Sequence, residues 1–134
     1  MFTKKKLGIV IVLLIVLTFA FSSIAQASAF YGLSVSPSSD TAYSSNNYWV
    51  YYNASFTTGE TGYYMMEVWH DGVLTHTQLN LQNGWNLTNY PDYWGDSSLG
   101  NHTEYFRVYK QSGYNSITKA SGLLIDFTRS IKVQ

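Results

Sequence analysis

Asp71-Gly72 stands between two runs rich in β-branched and aromatic residues, and it is the strongest turn signal in the chain. A two-residue type I′ turn needs a positive φ at both central positions, which aspartate and glycine tolerate. Two strands joined by such a turn form a hairpin whose pairing is fixed by the loop length. The sequence therefore predicts that His70 pairs with Val73, and Trp69 with Leu74.

Continued without interruption, the hairpin register decides which side chains share a face. It places Glu67 opposite His76 and puts His70 and His76 on opposite faces, so the two histidines should not share a metal or a substrate. An exposed Glu–His pair is usually a weak surface contact. No nucleophile elbow, zinc-protease or phosphate-loop motif occurs, and the chain contains no cysteine. The sequence predicts no catalytic residue, no metal site and no cofactor.

Beyond residue 30 the chain is rich in tyrosine, tryptophan, threonine and valine and shows no helical periodicity, which favours an all-β domain. Glycine and proline lie between or at the edges of the apolar runs, as turns require. The seven predicted strands are approximately Leu33 to Ser36, Tyr48 to Thr57, Gly62 to His70, Val73 to Leu81, Trp85 to Tyr90, Thr103 to Lys110, and Ser121 to Thr128. Their number and spacing are typical of an antiparallel sandwich or barrel.

Alternation along these strands predicts which side chains form the core. The expected core residues are Val50, Tyr52, Ala54, Phe56, Tyr64, Met66, Val68, Phe106, Val108, Leu123, Ile125 and Phe127. A tight hairpin at Asn83-Gly84 would put Leu79 and Leu81 on the opposite face from Trp85 and Leu87. We therefore expect this turn to carry the chain from one sheet to the other.

Two groups of aromatic residues are the candidate ligand-binding sites. Trp49, Tyr51, Tyr63 and Trp69 are expected to share one outer face of the domain. Tyr90, Tyr93 and Trp94 form the second group, in the loop before the sixth strand. Exposed rings stack on the apolar faces of sugars, and tyrosine hydroxyls can bond to their edges. The pattern is compatible with binding of a glycan or cell-wall polymer, with binding of an extracellular protein or self-association, and with a purely structural role.

The loop from Asp92 to Ser98 contains two carboxylates, Asp92 and Asp96. Paired carboxylates in a groove could hydrolyse a glycosidic bond, and carboxylate and hydroxyl oxygens could ligate calcium. Neither pattern is specific. We expect the loop to be a polar connection between sheets whose acidic residues face water.

Residues 1–29 have the three regions of a secretory signal peptide, namely three lysines, an apolar run and a small-residue segment. Cleavage after Ala27 or Ala29 would release a domain of residues 30–134 outside the membrane. One alternative is that the segment stays uncleaved as an anchor, which would be the domain's one link to a membrane. The other is a prepilin-type cleavage beside Gly8. The domain has five basic and eight acidic residues, a net charge of −3, which argues against a nucleic-acid partner. We expect a secreted, extracellular protein.

The segment Leu99-Gly100-Asn101-His102-Thr103-Glu104-Tyr105 resembles the leucine, threonine and tyrosine spacing before the sixth strand of fibronectin type III and related immunoglobulin-like domains. The resemblance implies an antiparallel two-sheet immunoglobulin-like sandwich of about seven strands and a non-catalytic binding module. It also implies a tyrosine corner in which the Tyr105 hydroxyl bonds to upstream backbone. Asn101 stands where the family has proline, and Phe106 and Val108 are out of phase with its alternation.

A second, looser resemblance connects Ala42-Tyr43-Ser44 and Asn47-Tyr48 to small secreted, cysteine-free bacteriocins that are also rich in aromatic residues. It implies an alternative function as an antimicrobial or toxin-like protein that acts on other cells.

Overall fold

The computed structural model describes residues 30–134, and the predicted signal peptide lies outside this part of the chain. The described residues form eight strands and one short 3-10 turn. They are β1 (Tyr31–Ser36), β2 (Ser39–Ala42), the turn Ser44–Asn46, β3 (Trp49–Thr58), β4 (Tyr64–His70), β5 (Val73–Leu81), β6 (Trp85–Tyr93), β7 (Gly100–Lys110) and β8 (Ile125–Val133). The prediction of an all-β domain is confirmed. Within residues 30–134 there is no helix with the length and apolar character needed to cross a membrane.

The strands form two sheets. The first has the order β1-β3-β6, and the second has the order β2-β8-β7-β4-β5. Neighbouring strands are antiparallel, except that β2 runs parallel to β8. The chain passes from the second sheet to the first at Asn83-Gly84, as the sequence predicts. There the Asn83 side-chain oxygen accepts from the Thr58 amide, and the Gly84 amide donates to the Phe56 carbonyl.

The inner face of each sheet carries the apolar residues that alternation predicts for β3, β4 and β7. These side chains are buried, and the rings of Tyr52 and Phe106 meet edge to face with centroids 5.0 Å apart. The expected core position of Leu123 is wrong, because this residue precedes β8 and is 50% exposed. Ile125 and Phe127 are partly buried and pack against the core.

The last strand extends further than the sequence predicts. The expected strand ended at Thr128, whereas β8 continues to Val133 and buries Ile131 and Val133. These two residues form a second apolar cluster with Ala42, Val50 and Trp94. The cluster closes the end of the sandwich where β2, which the sequence did not reveal, pairs with β8.

The Asp71-Gly72 hairpin forms with φ of 47° and 87° at its two turn residues, and its first two pairs have the predicted register. A β-bulge at Thr75 then shifts the pairing, so that Val68 lies opposite His76. The predicted pairing of Glu67 with His76 is therefore wrong.

Glu67 lies opposite Thr77 and is buried, with its carboxylate 3.0 Å from the Lys119 ammonium. A bulge adds one residue to one strand, which moves the following side chains relative to their partners. As a result, His70 and His76 line the same cleft rather than opposite faces.

Candidate binding cleft

A cleft of about 340 Å³ opens between β5 and β6, which are edge strands of the two different sheets. We call it the inner cleft. Its walls combine aromatic rings with polar side chains. The lining residues are Trp49, Tyr52, Val68, His70, Thr75, His76, Tyr90, Pro91, Asp92, Tyr93 and Asp96. Mixed walls of this kind are typical of small-ligand sites, where rings supply contact area and a few polar groups orient the ligand.

Two polar atoms in the wall of the inner cleft are buried without a hydrogen-bond partner among the described residues. They are the Tyr52 hydroxyl and His76 Nε2. Tyr90 packs between their rings, with centroid distances of 5.5 Å to Tyr52 and 5.0 Å to His76. Burial raises the pKa of Tyr52, so its hydroxyl stays protonated at neutral pH. An unpaired buried polar group costs about 1–3 kcal/mol. A ligand that supplies a hydrogen-bond partner to either atom would therefore gain binding free energy.

The floor of the inner cleft is a buried polar cluster centred on Asp92. One carboxylate oxygen of Asp92 lies 2.9 Å from His70 Nε2, and the other accepts from Trp94 Nε1 at 2.7 Å. The His70 and Trp94 rings stack with centroids 3.8 Å apart and planes 12° apart. Burial opposes ionisation of Asp92, but its contacts with His70, Glu104 and Trp94 together outweigh burial and hold the pKa of Asp92 below its usual value.

Arg129 and Glu104 complete the cluster and connect the two sheets. The Arg129 guanidinium lies 3.2 Å from Glu104 and 3.5 Å from Asp92, and it donates to the Tyr51 carbonyl at 3.3 Å. Burial and the nearby Asp92 charge raise the pKa of Glu104 to about 9. At neutral pH Glu104 is therefore protonated, and the Asp92 charge is balanced by Arg129.

The side chains of His70, Asp92 and Glu104 also converge as a metal site would, with one potential ligand atom from each lying within 4.8 Å of the others. Arg129, however, lies against both carboxylates and is fully buried with Glu104. A fixed positive charge in a buried site opposes entry of a second cation. We therefore interpret the cluster as the rigid base of the cleft.

The acidic residues of the Asp92–Ser98 segment do not all face water, as the sequence led us to expect. Asp92 lies on β6 and is buried, whereas Asp96 is exposed and lines the cleft. The carboxylate that approaches Asp92 is that of Glu104 on β7. This pairing arises from the stacking of the two sheets and leaves no local pattern in the sequence.

The seven predicted ligand-binding residues separate into several places. Trp49 and Tyr93 are exposed, with ring centroids 5.1 Å apart, and they line the inner cleft together with Tyr90. Trp94 lies under His70 and is fully buried, so its expected exposure on a surface platform is wrong.

The predicted single face of Trp49, Tyr51, Tyr63 and Trp69 is also wrong, because β3 and β4 belong to different sheets. Tyr51 is exposed on the outside of β3, and Tyr63, just before β4, meets Tyr114 at 5.2 Å. Trp69 lies near the Arg107 guanidinium, 5.4 Å from its ring centroid.

Among the lining residues that were not predicted as site residues are Tyr52, His70 and His76. Alternation identifies Tyr52 as a core residue and gives no sign that its hydroxyl borders a cleft. The Thr75 bulge brings His76 beside His70, and no sequence signal marks that bulge.

A second cavity of about 450 Å³ adjoins the inner cleft and shares His70, Thr75, Tyr93 and Asp96 with it. We call it the outer compartment. It is also lined by Val73 of β5, the turn residue Asp71, Ser97 and Ser98 before β7, and His102 within β7.

One wall of the outer compartment is fixed by His102. Its Nδ1 lies 2.5 Å from the Asp71 carboxylate, and its Nε2 lies 2.6 Å from the Ser98 carbonyl. Because both ring nitrogens face acceptors, these contacts raise the pKa of His102. Although burial works to raise the pKa of Asp71, hydrogen bonds from the Thr103 amide and His102 lower it. This hydrogen-bonded pair ties the hairpin turn to β7.

No model of a known protein family matches the chain, and neither does any curated protein or solved structure.

Proposed function

We propose that the protein is an exported, immunoglobulin-like binding module that holds carbohydrate in the inner cleft. The main support is the meeting of aromatic rings with unpaired polar atoms at one place, the Tyr52 hydroxyl and His76 Nε2 beside Trp49, Tyr90 and Tyr93. A sugar ring has an apolar face for stacking and a rim of hydroxyl groups that both donate and accept hydrogen bonds. These two properties match the two kinds of wall.

The immunoglobulin-like assignment is supported by the separation of the strands into a β1-β3-β6 sheet and a sheet built around β8-β7-β4-β5. The crossing from β5 to β6 is also compatible with it. Tyr105 differs from the family pattern, because its ring lies against the Arg107 guanidinium, 5.2 Å from the ring centroid. Its hydroxyl makes no hydrogen bond within residues 30–134, so the predicted tyrosine corner is wrong.

Export follows from the signal-peptide pattern of residues 1–29, and it would bring the cleft into contact with polysaccharides of a cell envelope. The cleft lining contains no lysine or arginine, whereas Asp96 is exposed there. A neutral glycan therefore suits the cleft better than an anionic polymer such as a nucleic acid.

Sedimentation of the purified protein, expressed from its full sequence, with insoluble chitin, cellulose and β-1,3-glucan tests this function. We expect saturable binding to at least one of them, with a shift in tryptophan fluorescence because Trp49 lines the cleft. Absence of binding to all three polysaccharides would contradict the proposal.

Tyr93→Ala and Tyr51→Ala form a matched pair of variants. Both tyrosines are exposed, by 43% and 49%, but only Tyr93 lines the cleft. We expect Tyr93→Ala to weaken binding about tenfold, equivalent to about 1.4 kcal/mol, and Tyr51→Ala to leave it unchanged. Equal effects of the two substitutions would place the ligand elsewhere.

A further inference from the structure

The inner cleft and the outer compartment are adjacent cavities, and together we call them the groove. They share four lining residues, His70, Thr75, Tyr93 and Asp96, and therefore meet at these side chains. The groove begins beside Trp49 on β3 and Tyr90 on β6, and it ends at Val73, next to the hairpin turn, and at Ser98. The ionic cluster below it and the Asp71–His102 pair beside it connect it to four strands, which makes the groove part of the rigid framework.

On the basis of the proposed function, we infer that the ligand is an uncharged polysaccharide chain that runs through both parts of the groove. Each part, at about 340 Å³ and 450 Å³, is near the lower end of the range for small-ligand sites. A disaccharide fills one of them, and a longer chain is needed to fill both. Tyr93 lies at the junction, where its ring contacts neighbouring units of the chain.

The electrostatics of the groove favour an uncharged chain. Neither lining set contains lysine or arginine. His102 is paired with Asp71, and Arg129 is buried against Asp92 and Glu104, so neither side chain is available to a phosphate or a uronic acid. The exposed Asp96 at the junction would repel such groups.

An extended peptide is the other polymer that edge strands commonly bind, by adding a strand to the sheet. The Thr75 bulge disturbs the regular hydrogen-bonding edge of β5 in the middle of the groove. Bulges at sheet edges hinder this kind of strand addition. The edge geometry therefore favours a sugar chain over a peptide.

Chain length is the decisive measurement. Disaccharides and hexasaccharides would be prepared from whichever of chitin, cellulose or β-1,3-glucan sediments the protein, and their affinities measured by titration calorimetry. We expect the hexasaccharide to bind at least about tenfold more tightly than the disaccharide, because it gains contacts in the outer compartment. Equal affinities would overturn the inference while leaving the proposed function intact, whereas absence of saccharide binding would overturn both.

Val73 and Leu74 provide matched variants on β5. Both are exposed, by 65% and 44%, but only Val73 lines the outer compartment. Val73→Arg should remove the tighter binding of the hexasaccharide relative to the disaccharide, whereas Leu74→Arg should leave this difference intact. Unchanged hexasaccharide binding in a Val73→Arg protein with the wild-type melting temperature would overturn the inference, as would tighter binding of peptides than of saccharides.

Discussion

At the scale of single residues, Gly95 determines where the Tyr93 ring lies. A Cβ atom built on Gly95 would overlap the Tyr93 hydroxyl and the adjoining ring carbons. Tyr93 can therefore fold back over the chain only because residue 95 has no side chain. The position of the Tyr93 ring in the groove wall thus depends on Gly95, which does not itself line the groove.

Gly95→Ala should displace the Tyr93 ring and weaken polysaccharide binding by up to about tenfold, as a shifted ring loses its stacking contact. Because the clash involves the end of a flexible side chain, the free energy of unfolding should change by only about 0.5 kcal/mol. Gly113→Ala is the control, since an added Cβ there meets nothing within 4 Å. Sedimentation and urea denaturation of both variants measure the two effects. Binding by Gly95→Ala equal to that of Gly113→Ala would contradict the role assigned to Tyr93.

At the scale of elements, sequence patterns predicted the strands whose two faces differ most. In β3, the buried Val50, Tyr52, Ala54 and Phe56 alternate with more exposed residues, and period-two alternation identifies such a strand directly. The strand β7 could be predicted for the same reason, because Glu104, Phe106 and Val108 are buried and alternate with more exposed residues. The strand β4 is buried on both faces from Tyr64 to Val68, so its apolar run and the Asp71-Gly72 turn that follows it, rather than alternation, made it predictable.

Elements whose position depends on distant partners could not be predicted. The strand β2 has only four residues, Ser39–Ala42, and exists because the end of β8 pairs with it. At the end of β8, Arg129, Ile131 and Val133 are buried and alternate with exposed residues. Because arginine is usually exposed, its presence hides this alternation in the sequence. The Thr75 bulge is equally invisible, so the grouping of His70 with His76 appears only in three dimensions.

Ile131→Ala tests the extended part of β8. Ile131 is fully buried in the second apolar cluster, and the substitution should lower the free energy of unfolding by about 2–4 kcal/mol. Lys132→Ala, at the next position and exposed, should change it by only about 0.5 kcal/mol. Urea denaturation measures both. Similar values for the two variants would mean that the strand ends earlier.

At the scale of the whole molecule, the Asp92–Glu104–Arg129 cluster makes stability depend on pH. The unfolded chain releases the Glu104 proton near the ordinary pKa of 4.5, whereas the folded protein retains it up to about pH 9. Between these values the folded state binds more protons than the unfolded state. The contribution of Glu104 to the free energy of unfolding therefore falls as pH rises through this range.

Glu104→Gln replaces the protonated acid by a neutral group of similar shape. The stability of this variant relative to the wild type should rise as the pH is increased from about 5 to about 8.5, because only the wild type must keep a proton on residue 104. Melting temperatures of both proteins across this range measure the difference. A difference that is constant with pH would show that Glu104 is ionised in the folded protein.

The ten residues of β3 join the two ends of the domain. Thr58 pairs with Tyr31, where the described chain begins, whereas Trp49 pairs with Tyr93 at the groove. At about 3.3 Å per residue, the strand separates these two points by about 30 Å. Any support that holds the protein by its N-terminal end, whether a membrane or a resin, would therefore leave the groove on the far side, facing outward and accessible to a polymer.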